Sequence, residues 1–363
     1  MFLNYLIAKQ KFQPDLFLYE NNKSAAQAIK DQICRELGVD LMYINSSLVS
    51  AQNRERFYCF NWQVEQPEDR GITLESILES DIGSSLNETW YELSGVSDHD
   101  ASRIGTIVNS AKNQAKHDSK QYRVYTPYGK ACTICGEGGG VGAKTGLYAI
   151  PFRYLSEKEM EYMVRQTKDG RNHFDFQYHH DATKDKSSCL TANTHKGVPY
   201  NVLIRPANEE PNGRPIYIVQ NNQIFVNGEW HHVKLPDGCY IIRKLTPVEC
   251  ERLQTLPDGY TSCVSATQRY RGLGNGWTAE VIIHVLNGAL QDVPRDTHIQ
   301  VLSLYDGIGT GRYCLDKMGF TNIEYHAYEI DKYAMQVSDK NYPDIIQHGD
   351  AFQVRDENWT ITN

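Results

Sequence analysis

Three groups of residues near the end of the chain have the types and spacing that bind a nucleoside. Glycines alternate through Asp306-Gly307-Ile308-Gly309-Thr310-Gly311, where side chains would block the close approach of a ligand. Glu329 follows the next apolar segment, where a carboxylate could accept both hydroxyls of a ribose. Asp350 follows a third such segment, where it could receive an exocyclic amine. Together these residues favour an adenosine-type ligand over an ordinary glycine turn with two solvated acids.

The residues around these groups predict the elements that position them. Val301 to Leu304 predicts a short buried strand, and a helix is predicted from about Thr310. The free N–H groups of that helix would point at the glycine turn, which suits a carboxylate or phosphate. Two further strands are predicted to end at Glu329 and at Asp350. This order normally opens a nucleotide-binding α/β sheet, so the first half of such a domain comes last in this chain.

Four further motifs carry polar or glycine-rich patterns. They are Glu20-Asn21-Asn22 after a strand-like segment, Gln52-x-Arg54-x-Arg56, the stretch RKLTPVECERLQTLPDGY from Arg243 to Tyr260, and GLGNGW from Gly272 to Trp277. Each motif alone is a weak signal of function. All of them together, in an order that is consistent when the two chain ends are joined, are a specific signal.

The set resembles the DNA cytosine-5 methyltransferases. Glu20-Asn21-Asn22 is similar to the Glu-Asn-Val element of that family, with Asn in place of Val, and the Gln52 motif is similar to its Gln-x-Arg-x-Arg element. The stretch from Arg243 is similar to the element that organises the recognition domain. GLGNGW is similar to the Gly-Asn-Ser element that helps close over S-adenosylmethionine.

The resemblance implies an α/β fold: a Rossmann-like, S-adenosylmethionine-dependent methyltransferase sheet, circularly permuted, with an inserted β-rich target recognition domain. We expect residues 1–85 to form the first part of the catalytic domain, with the Glu and Arg elements. Residues 86–238 are expected to form the recognition domain, and residues 239–363 the second catalytic part, with the closing elements and the cofactor-binding strands. Permutation is tolerated where chain termini are exposed and close together.

The resemblance also implies roles for individual residues. Glu20 would hold or protonate ring nitrogen 3 of a flipped cytosine, Arg56 would hold the carbonyl of the base, and Arg54 would brace the site. Gln52 is expected to belong to the same catalytic set. The residues expected to bind S-adenosylmethionine are Tyr305, Asp306, Gly307, Gly309, Gly311, Glu329, Ile330, Asp350, Ala351, Asn275, Gly276 and Trp277.

The nucleophile of the family is a cysteine in a Pro-Cys loop, between the Gly-Asp strand and the Glu element. None of the nine cysteines of this chain follows a proline. We therefore expect an enzyme whose nucleophile comes from a second polypeptide or a missing segment. The alternative is a catalytically inactive paralogue that binds DNA and S-adenosylmethionine and has a regulatory role.

The net charge of −8 argues against a generally basic DNA-binding protein, although local charge decides such contacts. Lys112, Lys116, Lys120 and Arg123 are opposed only by Asp118 in their stretch. We expect these four residues to contact the phosphates of duplex DNA; the alternative is a solvated polar loop.

A transfer RNA substrate is a further possibility, but the large middle domain fits duplex DNA better. The role stays open between restriction, phage self-protection and regulation.

Composition narrows the cellular setting. Lys9 and Lys11 interrupt the early apolar stretch, so no secretory signal is expected, and no run reaches the length of a membrane span. An odd number of irregularly spaced cysteines indicates reduced thiols, as in the cytoplasm of a bacterial or phage-infected cell. Cys132-x-x-Cys135 has no second pair at metal spacing, so no metal site is expected.

Overall fold

The computed structural model describes residues 1–79, 91–97, 102–107, 120–136, 141–142, 144–151 and 217–355. The chain divides into two compact units. The first contains Met1–Glu79, Pro127–Gly146 and Leu245–Asn363, and the second contains Ser80–Thr126 and Leu147–Lys244. The second unit overlaps the span 86–238 predicted for the recognition domain, but Pro127–Gly146 lies in the first unit.

The described strands and helices are numbered in chain order. The strands are β1 (Leu18–Asn22), β2 (Leu41–Asn45), β3 (Glu55–Phe60), β4 (Leu93–Val96), β5 (Arg103–Ile107), β6 (Arg123–Tyr125), β7 (Leu147–Pro151), β8 (Tyr217–Gln220), β9 (Gln223–Val226), β10 (Glu229–His232), β11 (Gly238–Arg243), β12 (Ile299–Leu304), β13 (Ile323–Tyr328) and β14 (Ile346–Gln347). The α-helices are α1 (Phe2–Phe12), α2 (Gln27–Leu37), α3 (Pro247–Leu253), α4 (Ala266–Asn275), α5 (Ala279–Leu290), α6 (Thr310–Lys317) and α7 (Lys332–Asn341). None of these described helices is long and apolar enough to cross a membrane.

Local sequence signals account for several helix ends. Thr246 and Glu249 form a capping box at the start of α3, each side chain accepting a hydrogen bond from the other residue's backbone N–H. The Asp331 carboxylate caps α7 by accepting from the N–H groups of Tyr333 and Ala334. α2 ends at Gly38, whose φ of 72° is the left-handed conformation that glycine adopts at low cost.

The described strands of the first unit form two three-stranded sheets. One is antiparallel, in the order β1-β3-β2, and the other is parallel, in the order β12-β13-β14. α1 packs on both sheets: Tyr5 and Leu6 contact the core around Phe57, and Ala8 contacts Tyr328 of β13. The helix therefore joins the two sheets on one face.

β12 differs from the prediction of a buried strand. All six of its residues are half-buried, whereas four of the six residues in the neighbouring β13 are buried. The physical reason is that, in the described part of the chain, β12 pairs on one side only, with β13. Its other edge faces a cavity.

The described strands of the second unit form one sheet, in the order β10-β9-β8-β11-β7-β6-β5-β4. Neighbouring strands are antiparallel, except for the parallel pair β6 and β7. Alternate residues of β9 point to opposite faces, with Ile224 and Val226 buried and Phe225 exposed.

Candidate active site

The first unit contains a large cavity of about 1710 Å³. This volume exceeds the roughly 300–1,000 Å³ of a typical small-molecule site. Most of the site residues predicted from the sequence line it. These residues are Glu20, Arg54, Arg56, Asn275, Gly276, Trp277, Tyr305, Asp306, Gly307, Gly311, Glu329 and Ile330.

Glu20 lies at the centre of a polar group on β1 and β3. In the antiparallel register Glu20 is opposite Tyr58 and Asn22 is opposite Arg56, so Glu20 and Arg56 are diagonal neighbours on one face. The Arg56 Nε lies 3.2 Å from the Glu20 Oε1. The indole Nε1 of Trp277 donates to the Glu20 Oε2 over 3.3 Å. Both carboxylate oxygens are thus held in a fixed orientation.

Burial raises the pKa of the Glu20 carboxyl above its usual value. The positive charges of Arg56 and Arg54 and the hydrogen bond from Trp277 act in the opposite direction, but burial has the larger effect. A carboxyl with a raised pKa retains its proton closer to neutral pH, so Glu20 can donate a proton to a base in the cavity.

Arg54 is buried and binds backbone carbonyls from two separate segments. Its guanidinium donates to the oxygens of Ile134, Gly274 and Gly276 over 3.1, 3.2 and 3.0 Å. Burial lowers the pKa of this guanidinium to about 10, which leaves it charged at neutral pH. Arg54 therefore fixes the loop that carries Trp277 against the strand that carries Arg56.

Gln52, predicted as a catalytic residue, lies outside the cavity lining. It is fully buried, and its side-chain oxygen accepts the backbone N–H of Ile134 over 2.8 Å. Its backbone also forms a bridge with Ala131. Gln52 thus positions the segment that Arg54 contacts, and it cannot reach a ligand in the cavity.

The glycine turn after β12 follows a left-handed path. Tyr305, Gly307 and Gly309 have φ values of 60°, 66° and 77°. The backbone N–H of Gly307 donates to Glu329 Oε2 over 2.9 Å, which ties the turn to the end of β13. Gly309 does not line the cavity, and a Cβ atom there would lie 3.0 Å from the Cβ of Ser338 on α7. Gly309 is therefore required by its backbone conformation and by helix packing.

Two predicted cofactor residues, Asp350 and Ala351, also lie outside the cavity lining. The Asp350 Oδ1 accepts the backbone N–H of Phe352 over 2.9 Å, which caps the short 3-10 turn Ala351–Arg355. Ala351 is buried with Ala8 and Tyr328. Their contacts therefore stabilise the local backbone after β14.

The contribution of Asn4 was not predictable from any local pattern in the sequence. This buried residue of α1 donates from its side-chain amide to the Tyr305 hydroxyl over 3.0 Å. Its side-chain oxygen accepts from the Arg355 guanidinium over 2.7 Å. Asn4 therefore joins α1 to the glycine turn and to the turn after β14.

Cys135 lines the cavity, which the sequence did not indicate. Its thiol is exposed and lies close enough to Arg54 to interact with it electrostatically. In the part of the chain that the structure describes, no group of three or more His, Cys, Asp or Glu side chains is arranged to hold a metal ion.

Comparison with known proteins identifies the family. The sequence profile described as "C-5 cytosine-specific DNA methylase" matches residues 1–290, well over half of the chain. The chain belongs to this family. S-adenosylmethionine is the cofactor of this methyltransferase family.

The chain is also similar to individual proteins. One is the "DNA (cytosine-5)-methyltransferase DRM2" of Oryza sativa subsp. japonica, with 30% identity over 118 residues, 32% of this chain and 19% of that protein. The matched segment therefore spans about a fifth of that relative. Among solved structures, the S. pombe Dnmt2 methyltransferase has a TM-score of 0.39 at 16% identity, covering 80% of this chain and 72% of that one. A triple mutant of Spodoptera frugiperda DNMT2 has a TM-score of 0.38 at 16% identity, covering 79% and 70%.

The residues around the glycine turn fit a ligand with polar and apolar parts. Asp306 Oδ2 and Thr310 Oγ1 are buried without a hydrogen-bond partner, and both residues line the cavity. A bound molecule that offers polar groups to these two atoms would satisfy them. Ile330, beside Glu329, is 72% exposed, which leaves an apolar surface for a flat ring. These features support binding of S-adenosylmethionine at this turn.

We expect Glu329→Ala to weaken S-adenosylmethionine binding by roughly ten- to a hundredfold, the loss of a hydrogen bond to a charged group. Isothermal titration calorimetry on the purified chain measures this. Asp339→Ala, at an exposed position of α7, is the control and should bind like the parent chain. Unchanged binding in Glu329→Ala, or no heat from the parent chain at millimolar ligand, would contradict the assignment.

Proposed function

We propose that this chain is the larger part of a DNA cytosine-5 methyltransferase with a circularly permuted order of elements. One observation carries the proposal: Glu20, held by Arg56 and Trp277, lines the same cavity as the glycine turn and Glu329. For methyl transfer to a base, the carboxyl that binds the base and the turn that binds the cofactor must line the same cavity. The order of the elements, with the glycine turn after the Glu and Arg elements, supports the permutation.

The chemistry of cytosine determines what the site must do. Carbon 5 is not nucleophilic while the ring is aromatic, and it becomes enamine-like when a thiolate adds to carbon 6. Nitrogen 3 then gains a proton. After carbon 5 has been methylated, a base accepts the proton on carbon 5 as the thiolate leaves, and nitrogen 3 gives its proton back. S-adenosylmethionine supplies the electrophilic methyl group. The target base must first leave the duplex, which costs roughly a few kcal/mol.

The residues of this chain would act on the base and its surroundings. Glu20, with its raised pKa, would donate the proton to nitrogen 3. Arg56, which also donates to the backbone oxygen of Glu55, would bind the carbonyl of the base. Arg54 is a positioning residue, because its guanidinium binds backbone carbonyls of the closing loop. The thiolate would be supplied from outside these 363 residues.

Product analysis tests this function. The chain is incubated with duplex DNA, labelled S-adenosylmethionine and a thiol-bearing segment, and the nucleosides are separated by mass spectrometry. We expect the label in 5-methylcytosine. Label in another nucleoside, or in RNA but not in DNA, would refute the proposed substrate.

We further propose that the second unit supplies most of the DNA affinity, through Lys112, Lys116, Lys120 and Arg123. Arg123 begins β6, and Lys120 begins the short 3-10 turn Lys120–Tyr122. Lys112 and Lys116 lie outside the described residues.

Replacing these four residues with alanine should flatten the salt dependence of DNA binding. Each phosphate contact contributes about 0.9 to the slope of log K against log salt, so four contacts predict a decrease of roughly three to four units. Fluorescence anisotropy with a labelled duplex between low and physiological salt measures the slope. The matched control replaces Lys23, Lys317, Lys332 and Lys340, which lie in the first unit outside the cavity lining. An unaltered slope in the test variant would show that the stretch is a solvated surface.

A further inference from the structure

The indole of Trp277 lies between the two halves of the site. Its Nε1 donates to the Glu20 carboxylate over 3.3 Å. The other end of the ring, at Cζ3, lies 3.6 Å from the Cβ position of Gly311 in the glycine turn. One side chain therefore contacts both the carboxyl assigned to the base and the turn assigned to the cofactor.

Gly311 allows this contact because it has no side chain. A Cβ atom there would collide with the hydroxyl of Tyr325 on β13. That hydroxyl donates to Asp306 Oδ1 over 2.7 Å. The other oxygen of Asp306 is the buried atom without a hydrogen-bond partner that would face a ligand in the cavity. Contacts therefore run without a break from this ligand-facing carboxyl to the indole.

The backbone on both sides of the indole is fixed. The Gly276 oxygen accepts from Arg54 over 3.0 Å. The buried Thr278 hydroxyl, at the start of α5, is hydrogen-bonded to Ser46 and to Gln254, over 2.8 Å in each case. A ligand at the glycine turn can therefore shift the indole only about its side-chain torsions, which moves its Nε1 relative to the carboxylate.

The hydrogen bond to Glu20 is sensitive to such a shift. At 3.3 Å it is longer than the usual N–H···O distance of about 2.9–3.0 Å, so a small rotation of the ring strengthens or breaks it. This bond lowers the pKa of Glu20 and so opposes the effect of burial, because an N–H donor favours the charged carboxylate. The protonation of Glu20 therefore depends on the position of the ring.

We propose that Trp277 is a positioning residue that couples the two halves of the site: a cofactor bound at the glycine turn confines the indole and tightens its hydrogen bond to Glu20. Glu20 is then a better oriented and stronger acid when the methyl donor is present. The coupling is inferred from the contacts of the indole, whereas the roles of the two halves in methyl transfer rest on the proposed function.

The other titratable groups around Glu20 lie on β1, on β3 and just before β3. They are Tyr19, Arg54, Arg56 and Tyr58. None of these four residues belongs to the glycine turn, and none is altered when Trp277 is replaced. A change at Trp277 therefore separates the coupling from the effect of the local charges.

Titration of the Glu20 carboxyl tests the inference without methyl transfer. The chain is labelled with carbon-13 at its Glu side-chain carboxyls, and the Glu20 signal is assigned by its absence from Glu20→Gln. Nuclear magnetic resonance then measures the Glu20 pKa with and without S-adenosylhomocysteine, whose sulfur is uncharged. In the parent chain we expect this ligand to lower the pKa, with a roughly tenfold increase in the acid dissociation constant.

Trp277→Phe keeps an aromatic ring but has no N–H to donate. Its Glu20 pKa should lie above that of the parent chain and should not fall when S-adenosylhomocysteine binds. Trp62→Phe is the matched control, because Trp62 also lines the cavity but its indole donates to the Val285 oxygen, over 2.8 Å. Its Glu20 pKa should respond as in the parent chain. Thermal unfolding and calorimetry establish that each variant folds and is saturated with ligand.

Two results would overturn the inference. One is no decrease in the Glu20 pKa of the parent chain at saturating ligand, a test that stands even if Trp277→Phe fails to fold. The other is an equal decrease in the parent chain and in Trp277→Phe. No binding of S-adenosylhomocysteine to the parent chain would refute both the coupling and the proposed function.

Methyl transfer with the thiol-bearing segment gives a separate measurement. Because the Glu20 pKa is higher in Trp277→Phe, the alkaline decrease in rate should lie at higher pH than in the parent protein. If the carboxyl titrates as expected but the rate does not follow the Glu20 pKa, the role of Glu20 in the proposed function is refuted and the coupling through Trp277 stands.

Discussion

Replacing Glu20 with glutamine should reduce methyl transfer by about 10²–10⁴-fold, the usual contribution of a positioned general acid. Glutamine keeps the shape of Glu20 and an oxygen that can accept from Trp277, but it has no proton to transfer to nitrogen 3. The measurement is initial-rate methyl transfer to DNA by the chain together with its thiol-bearing segment. S-adenosylmethionine binding should be unchanged, since Glu329 and the glycine turn are intact.

The pH dependence of the methyl-transfer rate gives a second test of the role of Glu20. Because burial raises the pKa of Glu20, the protonated form is present at low pH and is lost as the pH rises through that pKa. The rate of the parent protein should therefore fall on the alkaline side of this pKa, and Glu20→Gln should lose that descending limb. Glu55→Gln, on the adjacent strand and paired with Lys23, is the matched control and should keep the parent rate and profile. An unchanged rate in Glu20→Gln would exclude Glu20 as the proton donor.

The chain without a thiol-bearing segment should transfer methyl groups slower by on the order of 10⁴-fold or more, as when the nucleophile of a covalent enzyme is removed. Binding and positioning by Glu20 and Arg56 cannot supply the electron pair that carbon 5 needs. Activity should return with a peptide that carries a Pro-Cys loop, added in trans or joined between Asn363 and Met1. Tritium transfer from labelled cofactor to DNA measures the rate of the chain alone and the rate after the Pro-Cys peptide is added.

The controls for this restoration address the thiol directly. A peptide with Ser in place of Cys should leave the chain inactive. Cys135→Ser should not alter the restored rate, because the thiolate then comes from the peptide. Strong transfer by the chain alone would contradict the prediction. Failure of every Pro-Cys fragment, despite intact cofactor and DNA binding, would favour the inactive binding protein.

Local chemistry explains which parts of the site were predictable from sequence. The glycine turn depends on residues close in the chain, so its spacing predicts a turn followed by a helix from about Thr310. The structure has that helix, and Gly307 and Gly309 in the turn are left-handed. Glu20 and Arg56 were predicted by type, and the β1–β3 register brings them together. Short-range patterns therefore indicated both halves of the cavity.

Long-range packing explains what the sequence did not indicate. The burial of Gln52 depends on the segment around Ile134, which is far away in the chain. Asn4 contacts Tyr305 across 301 positions, so no local pattern could reveal the pair. The half-buried state of β12 depends on which strand, if any, lies at its second edge. An apolar sequence predicts burial but does not identify the partner that provides it.

A covalent trap tests the central claim most directly: that this chain holds the cytosine while the thiolate comes from another segment. Duplex DNA with 5-fluorocytosine retains the enzyme, because fluorine replaces the proton whose removal from carbon 5 releases the thiolate. The protein, the Pro-Cys peptide and S-adenosylmethionine are mixed with this DNA, and mass spectrometry identifies the cross-linked cysteine. We predict an adduct on the peptide cysteine, formed only when the chain is present. An adduct on a cysteine of the chain itself, with Cys135 the first to examine, would contradict the account.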